Sequence, residues 1–383
     1  MSYDLTAQQH DIKRAAREFA EGEFPDVALE YDKKEEFPKE IWKKACDLGF
    51  MGVFINEEYG GAGMGYLENA VITEEFWRVD PGLGTVLLSV LGSEFILLHG
   101  REEQKKTYLP PLCNGKAIMG MAITEPDAGS DVTSISTSAV KKDHRYVING
   151  SKVFITNGTI ADYLIVFCCT NPESESPFGR HSMIVVETDR KGFQANKLVG
   201  KMGARASVTS ELSFADVEVP EDNLVGEVEG KGFYQLMDTF NRTRICVAAQ
   251  GVGVAQGALE KAIKHTKKRV QFGKPIASFQ GTQFKIAEMA TLIEAARSLY
   301  YRGARLLDEG KVWPELISMA KWYGAEVGVR VTDEALQMHG GWGYFEEYDV
   351  ERFYRAAKIV EIVEGTKEIE KMIIAREILK KMA

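Results

Sequence analysis

Apolar residues in the first third of the chain recur every three or four positions, with charged residues between them. This spacing predicts amphipathic helices, as in the stretch that contains Phe19 and Ala20. A second stretch, FPKEIWKKACDLGF, has Pro38 near its start and Gly49 near its end, which are the usual boundary residues of a helix. We therefore predict a helical domain over residues 1–118.

The pattern changes over residues 119–226, where short runs of β-branched and aromatic residues replace the helical spacing. The runs RYVI, KVFIT, YLIVFCC and SMIVVE are separated by turn signals such as EPDAGSD, NGSK and NPESESPFGR. This arrangement predicts an antiparallel sheet or a small barrel. Because the strands do not alternate with helices, a doubly wound parallel sheet is not expected.

Long helical patterns return over residues 227–383, and their length predicts a helical bundle. The order of helix, strand and helix places the chain in the α+β class. One run in the last region, GVGVAQG from Gly251 to Gly257, has Gln256 where a dinucleotide-binding fingerprint requires its last glycine. We interpret this run as a close contact between helices through small residues.

Composition and charge exclude several classes of function. The chain has 383 residues, 45% hydrophobic and 27% charged, which is typical of a globular protein. Its net charge of −9 argues against nucleic acid as a partner. The apolar runs stay below about 18 residues, so no membrane span is expected, and the polar N-terminus resembles no signal peptide. Five cysteines without a CxxC pair indicate a reducing, cytoplasmic location, and six scattered histidines predict no metal site.

Four motifs are candidates for ligand binding, although each alone fits ordinary structure. AITEPDAGSD and KVFITNG place polar groups where strands end, and both also fit surface turns or plain strands. KKRVQFGKPIASFQ combines four cations in eight residues with Phe272, which suits a phosphate beside a ring or a solvated helix end. QMHGGWGY ends a helix at Gly340 and Gly341, which allow a close ligand or form a simple cap.

The order of these motifs resembles that of the acyl-CoA dehydrogenase family over nearly the whole chain. The resemblance rests on INEEYGGAG, AITEPDAGSD, FITNG, NRTR, RVQFGKPI, LQMHGGWGY, ERFYRAAKI and VEGTKEI followed by IAREIL. It implies an N-terminal helical domain, a β-domain and a C-terminal four-helix domain. It also implies bound FAD, oxidation of the Cα–Cβ bond of an acyl-CoA to the 2-enoyl-CoA, a homotetramer, and an electron-transfer flavoprotein as the electron acceptor.

Glu364, in the sequence Glu364-Gly365-Thr366, matches the catalytic base of the family. A carboxylate suits this role because the α-proton beside a thioester is weakly acidic, and a dry site raises the pKa of the carboxyl toward the working pH. In the family the hydride leaves Cβ for flavin N5, while the backbone N–H of the base and an FAD hydroxyl bind the enolate oxygen. We expect Gly365 to leave room for the thioester and the flavin, and Thr366 to cap the next helix.

The resemblance also assigns binding roles to other positions, and three of these residues match an arm that reaches the FAD of a neighbouring subunit: Arg269, Phe272 and Gln280. Further positions that match FAD contacts are Met121, Ile123, Thr124, Ser130, Phe154, Thr156, Gln337, Gly340, Gly341, Thr366 and Glu368. Positions that match substrate or CoA contacts are Ser130, Asn241, Arg244 and Gly365.

The acyl-tail pocket is expected in the stretch PGLGTVLLSVLGSEFILLHG, residues 81–100. Members that act on glutaryl-CoA bind its distal carboxylate with a cation here, but this stretch contains no Lys or Arg, and Gly84 aligns with the cation. A buried carboxylate without a partner is costly. We therefore expect an uncharged short or medium acyl group, with branched or alicyclic ones such as cyclohexanecarboxyl included. The residues expected to contact it are Leu87, Val90, Leu91 and Val363.

Three alternatives remain open at this point. A glutaryl-CoA dehydrogenase, decarboxylating or not, is the nearest. An acyl-CoA oxidase is usually longer, whereas this sequence ends soon after IAREIL. A catalytically silent flavin-binding scaffold is a third, although the presence of Glu364 argues against it. The chain also departs from the family at Phe154, where Trp is common, at Val363, where Tyr is common, and at Ala356, where Asp is usual.

Overall fold

The computed structural model describes residues 4–382. The N-terminal part is helical, and α1 begins with a capping box in which Thr6 and Gln9 exchange side-chain and backbone hydrogen bonds. The rings of Phe19, Phe24, Phe50 and Phe76 lie with adjacent centroids 5.3 to 6.0 Å apart and join these helices into one core. The helices are α1 (Ala7–Glu23), α2 (Ala28–Lys34), α3 (Lys39–Asp47), α4 (Tyr66–Val79), α5 (Ser93–His99) and α6 (Glu102–Cys113).

The middle of the chain forms a seven-stranded sheet in the order β1-β4-β2-β3-β7-β6, with β5 paired to β4. Its strands are β1 (Met119–Ala122), β2 (Ser138–Lys142), β3 (Arg145–Thr156), β4 (Tyr163–Cys169), β5 (His181–Glu187), β6 (Phe193–Leu198) and β7 (Thr209–Pro220). Most pairs are antiparallel, as predicted, but β1 pairs with β4 in parallel and a single parallel bridge joins β2 to β4. The sheet is therefore mixed rather than purely antiparallel.

The turn predicted at NGSK was wrong. RYVI and KVFIT belong to one continuous strand, β3, which pairs with β7 on both sides of this point. Gly150 has φ 146° and lies at a shift in register, so the Asn-Gly pair forms an irregularity within the strand instead of ending it. A side chain at Gly150 would collide with Thr137, since an added Cβ would lie 2.6 Å from its hydroxyl oxygen.

The C-terminal part is again helical, and two of its helices pack through glycine. They are α7 (Gly232–Lys268) and α9 (Pro314–His339), and a Cβ added at Gly324 would lie 2.9 Å from the carbonyl oxygen of Ala248. Gly251, in the GVGVAQG run, faces Gly324 across this contact, which confirms its interpretation as helix packing. The remaining elements are the short hairpin β8 (Val270–Gln271) and β9 (Lys274–Pro275), then α8 (Gln280–Asp308), α10 (Val350–Val360) and α11 (Lys367–Met382).

The predicted α+β order of helices, sheet and helices is confirmed. The C-terminal part has five helices in the described residues rather than four, because α10 and α11 are separate helices that both pack on α9. Helix α4 of the N-terminal part also packs along α7. Within residues 4–382, no helix combines the length and the apolar composition needed to cross a membrane.

Candidate functional site

Glu364 lies in the turn between α10 and α11 with a backbone conformation that is uncommon for a non-glycine residue, φ 53°. Two cations from different helices hold this turn. The Arg244 Nε–H donates to the carbonyl oxygen of Glu364 at 2.9 Å, and the Lys321 ammonium donates to the carbonyl oxygen of Gly365. Since α7 supplies Arg244 and α9 supplies Lys321, the strained turn is fixed to the two helices that pack through glycine.

Gly365 has φ 110°, a conformation that favours glycine. An added Cβ would lie 2.5 Å from Glu370 Oε1 and 3.0 Å from Arg244 Nη2. We expected this glycine to leave room for ligands, but the nearest atoms are those of a buried ion pair. Glycine is therefore required at this position even without a ligand, because a side chain would collide with Glu370 and Arg244. The next residue, Thr366, lies just before α11, and its carbonyl oxygen accepts a hydrogen bond from the Glu370 N–H at 3.0 Å.

The carboxylate of Glu364 receives one hydrogen bond, from the Thr243 hydroxyl to Oε2 at 2.5 Å. Loss of hydration raises the pKa of Glu364 above its ordinary value, while this hydrogen bond and the charges of Arg244 and Lys321 act in the opposite direction. The net direction is upward. A carboxyl group in this setting is suited to accept a proton near neutral pH.

Arg244 lies behind Glu364, and its side chain is 3% exposed. Its Nε is 3.1 Å from Glu370 Oε1, but its Nε–H points to the carbonyl oxygen of Glu364, so the contact with Glu370 is one of charge rather than an aligned hydrogen bond. Burial leaves Arg244 almost no open surface, and its predicted place on a CoA channel stays a prediction. Asn241, its companion in that prediction, is half-buried on α7.

A cavity of about 60 Å³ opens beside Glu364. For comparison, one buried water needs roughly 10–15 Å³. Three of the predicted tail residues line it together with the base: Leu87, Val90 and Leu91. The structure thus brings the predicted base and the predicted tail pocket to one place. Val363 is not among the lining residues and packs instead against a separate apolar cluster.

The sequence analysis missed several residues of this cavity. The apolar ones are Phe50, Phe54, Leu88 and Val247, and the polar ones are Asn69, Thr73, Glu94, Thr243, Cys246 and Gln250. None of the described residues on its wall is Lys or Arg. Glu94 had a signal in the sequence, since it is a lone carboxylate inside the otherwise apolar stretch VLGSEFILL.

Asn157 joins this cavity to the sheet. It is 2% exposed and donates hydrogen bonds to the carbonyl oxygens of Leu88 at 2.8 Å and Met119 at 3.0 Å. Val90 adds a parallel bridge to Met119. The segment that lines the cavity is therefore tied to the start of β1 and the end of β3.

The predicted cofactor residues of the sheet lie near these two strands. Phe154 has φ 61° and is 69% exposed, so most of this residue is without cover in a single chain. The Val153 N–H donates to the carbonyl oxygen of Thr124 at 3.0 Å, so the chain just after β1 lies against β3. The side-chain hydroxyls of Thr124 and Thr156 make no hydrogen bond with any residue of the range 4–382. An open ring beside unused hydroxyl groups fits a planar heterocycle with polar edges.

The other predicted cofactor residues lie outside the cavity. Met121 is half-buried and Ile123 is buried at the end of β1, whereas the remaining ones are exposed: Ser130, Arg269, Phe272, Gln280, Gln337, Gly340, Gly341 and Glu368. Phe272 is 94% exposed on the β8–β9 hairpin, and no protein atom lies within 4 Å of a Cβ added at Gly340 or Gly341. These surfaces are open to a ligand or to a second chain.

Comparison with known proteins gives matches along almost the entire chain. The models for the N-terminal, middle and C-terminal domains of acyl-CoA dehydrogenase match residues 6–116, 120–217 and 230–379. An acryloyl-CoA reductase (NADH) of Anaerotignum propionicum is 42% identical over 100% of this chain and 97% of its own length. A cyclohex-1-ene-1-carbonyl-CoA dehydrogenase of Syntrophus aciditrophicus is 42% identical over 98% of this chain and 91% of its own.

Solved structures agree with these matches. The butyryl-CoA dehydrogenase of Megasphaera elsdenii superimposes with a TM-score of 0.95 at 40% identity, covering 99% of this chain and 100% of that one. A chain from a study of the electron transferring flavoprotein of Acidaminococcus fermentans and flavin-based electron bifurcation gives a TM-score of 0.96 at 42% identity, with 99% and 100% covered.

Proposed function

Because this chain belongs to the acyl-CoA dehydrogenase family, a family of flavoprotein oxidoreductases, we propose that it dehydrogenates an uncharged short or medium acyl-CoA between Cα and Cβ, with Glu364 as the base. Its helix, sheet and helix architecture is the fold of that family. The observation that supports the proposal most directly is the carboxyl of Glu364 on the wall of a cavity that the predicted tail residues also line.

Glu364 has the surroundings that removal of an α-proton requires. Its raised pKa matches a base that must work near neutral pH, because a carboxyl of ordinary pKa is too weak a base for the weakly acidic proton beside a thioester. The Thr243 hydroxyl orients one carboxylate oxygen, and Arg244 and Lys321 fix the backbone that bears it. The apolar residues on part of the wall, among them Phe50, Phe54 and Leu87, lower the local dielectric constant and strengthen these polar contacts.

FAD is the proposed cofactor, and when bound it supplies the acceptor for the hydride that leaves Cβ. The exposed ring of Phe154 and the unused hydroxyls of Thr124 and Thr156 are the groups that would hold its ring system. Residues further along the chain, Arg269 and Phe272 on the hairpin and Gln337 with the two glycines after α9, would hold the rest of it.

The acyl group is proposed to be uncharged. A distal carboxylate would enter a cavity whose described wall has no Lys or Arg and already contains the carboxyl groups of Glu94 and Glu364. Burial of a charge without a partner is strongly unfavourable. This argues against glutaryl-CoA. Butyryl-CoA and compact branched or alicyclic groups such as isobutyryl and cyclohexanecarboxyl remain candidates, in line with the ring substrate named for the Syntrophus aciditrophicus relative.

Assembly and electron transfer are proposed on separate grounds. The exposed Phe272 and the open surface at Gly340 and Gly341 would be covered in a homotetramer. An electron-transfer flavoprotein is the proposed acceptor, supported by the similarity to the chain from the Acidaminococcus fermentans study. We keep the cytoplasm as the proposed compartment because all five cysteines are unpaired thiols.

The proposal is tested by adding acyl-CoA to the purified flavoprotein under anaerobic conditions. We expect butyryl-, hexanoyl-, isobutyryl- or cyclohexanecarboxyl-CoA to bleach the flavin, and glutaryl-CoA to be the poorest of the five. Glu364→Gln is expected to retain FAD and acyl-CoA binding and to lose flavin reduction by at least about 10²–10⁴. Glu18→Gln, which changes an exposed carboxylate on α1 away from the cavity, is the control and should reduce normally.

Two results would overturn parts of this proposal. Normal flavin reduction in Glu364→Gln would show that another residue is the base. If glutaryl-CoA has the highest kcat/KM, the argument from charge is wrong, and a cation that does not line this cavity binds the distal carboxylate.

A further inference from the structure

Glu94 is a buried carboxyl group on the cavity wall that the proposed mechanism does not use. It lies in the first turn of α5, is 7% exposed, and lines the same cavity as Glu364. Its carboxyl group interacts with its own backbone N–H, and no other residue of the range 4–382 makes a hydrogen bond or an ion pair with it. Burial raises the pKa of Glu94 to about 8, the contact with its own N–H acts against this shift, and the charge of Glu364 adds to it.

The groups that face Glu94 provide no compensating charge. They are Glu364, the phenol of Tyr66 and the thiol of Cys246, all of which are acids. The Cys246 sulfur already accepts a hydrogen bond from the Asn69 amide at 3.1 Å. At neutral pH, Glu94 is therefore mainly a neutral carboxylic acid whose O–H has no protein acceptor.

Stability does not explain a glutamate at this position. A buried carboxyl group that no other residue pairs with costs free energy, and an apolar side chain such as leucine would avoid that cost on a wall that already contains Leu87, Val90 and Leu91. The two carboxyl groups also share one small cavity, which adds repulsion whenever both ionise. A polar group kept under these conditions is best explained by a ligand that pairs with it.

We propose that Glu94 determines the acyl specificity of the enzyme by a hydrogen bond to an uncharged oxygen substituent, a hydroxyl or a carbonyl, on the acyl group beyond Cβ. This inference rests on the proposed function and narrows its substrate class. Glu94 is a specificity residue and takes no part in proton removal from Cα. Apolar acyl-CoAs of the same size still enter the cavity but leave the carboxyl unpaired.

The test compares acyl-CoAs that differ by one hydroxyl in place of a methyl group. The pairs are 4-hydroxybutyryl and pentanoyl, 5-hydroxypentanoyl and hexanoyl, and 6-hydroxyhexanoyl and heptanoyl. Binding to the FAD-loaded Glu364→Gln enzyme is measured from the shift of the flavin spectrum, so that turnover does not interfere. With Glu94 present, at least one hydroxyacyl-CoA should bind about three- to tenfold tighter than its methyl partner, as expected for one hydrogen bond.

Three further variants separate specificity from folding. Glu94→Leu should reverse the preference in favour of the methyl compound, whereas Glu94→Gln, whose amide still donates, should keep part of it. Thr239→Val, which removes a buried hydroxyl on α7 that does not line the cavity, is the control and should leave the preference unaltered. Because leucine removes an unpaired polar group, the unfolding temperature of Glu94→Leu should be equal to or above that of its parent.

Each outcome bears on one proposal or on both. If the methyl compound binds tighter in all three pairs, or if Glu94→Leu leaves the preference unchanged, the role of Glu94 is refuted. If one of these two outcomes is found but acyl-CoA still bleaches the flavin of the wild-type enzyme, only the role of Glu94 is refuted and the proposed function stands. If no acyl-CoA of either kind bleaches the wild-type flavin, the proposed function fails and this inference fails with it.

Discussion

The hydrogen bond from Thr243 to Glu364 gives a direct test of how the surroundings tune the proposed base. Thr243→Val removes the donor hydroxyl, which lies 2.5 Å from Glu364 Oε2, and keeps the shape of the side chain. The bond stabilises the charged form of the carboxyl, so its loss should raise the pKa of Glu364 further.

The size of the shift follows from the strength of such a bond. A hydrogen bond to a charged group contributes about 1.5–3 kcal/mol, and one pKa unit corresponds to about 1.4 kcal/mol. The partial burial of Glu364 on the wall of the cavity places the bond within this range rather than at the weaker surface value. We therefore expect the acidic limb of the pH profile of kcat/KM to move up by about one to two pH units.

The assay is the rate of flavin-linked acyl-CoA oxidation with an artificial acceptor, measured across the acidic and neutral range. Thr239→Val is the matched control, because Thr239 lies one turn away on α7 and its buried hydroxyl has no hydrogen-bond partner among residues 4–382. Its acidic limb should stay in place. If the acidic limb of the kcat/KM profile does not move in Thr243→Val, the reasoning is refuted, because that limb then reflects the titration of a group other than Glu364.

Three other substitutions follow from the same contacts. Asn157→Gly keeps a residue that tolerates the positive φ but removes the hydrogen bonds to the carbonyl oxygens of Leu88 and Met119. It should lower the free energy of unfolding in urea by at least about 1–3 kcal/mol, because these carbonyl groups are left unpaired. Unchanged stability together with an unchanged KM would show that these hydrogen bonds do not connect the cavity to the sheet. Gly365→Ala should cost about 1–3 kcal/mol from backbone strain, with more from collision with Glu370, whereas Gly281→Ala, in an open helical position, should not be destabilising. Glu94 has a folded pKa of about 8, above its unfolded value, so folding binds a proton between the two values and its contribution to stability falls as pH rises toward 8. Glu94→Leu should therefore gain stability relative to the wild type as the pH rises from about 4.5 to about 8, and parallel stability curves over this range would contradict the raised pKa.

The periodicity of the sequence predicted the order of helices and strands because amphipathic spacing is a local property. It failed where long-range pairing decides the structure. NGSK is a turn signal by composition, yet β7 pairs across it and keeps β3 continuous. The parallel contact of β1 with β4 likewise joins segments that are far apart in sequence, and no local pattern specifies it.

The candidate site shows the same division between local and distant information. The family motif pointed to Glu364, and the apolar stretch pointed to Leu87, Val90 and Leu91. The groups that set the pKa and the backbone of Glu364 come from other helices, as Thr243 and Lys321 do, and only the packed structure places them there. The contact of Arg244 with the backbone of Glu364 likewise appears only in the packed structure.

The base and one side of the tail pocket are held by different segments of the chain. Two long helices hold the Glu364 turn through buried cations, whereas segment 83–94, which precedes α5 and includes its first residues, contributes one side of the wall through Leu87, Leu88, Val90, Leu91 and Glu94. A library of substitutions confined to that segment should therefore yield enzymes with new acyl preferences and an intact base. The same separation offers evolution a way to diversify substrates within one chemistry, since changes in the segment leave the support of Glu364 untouched.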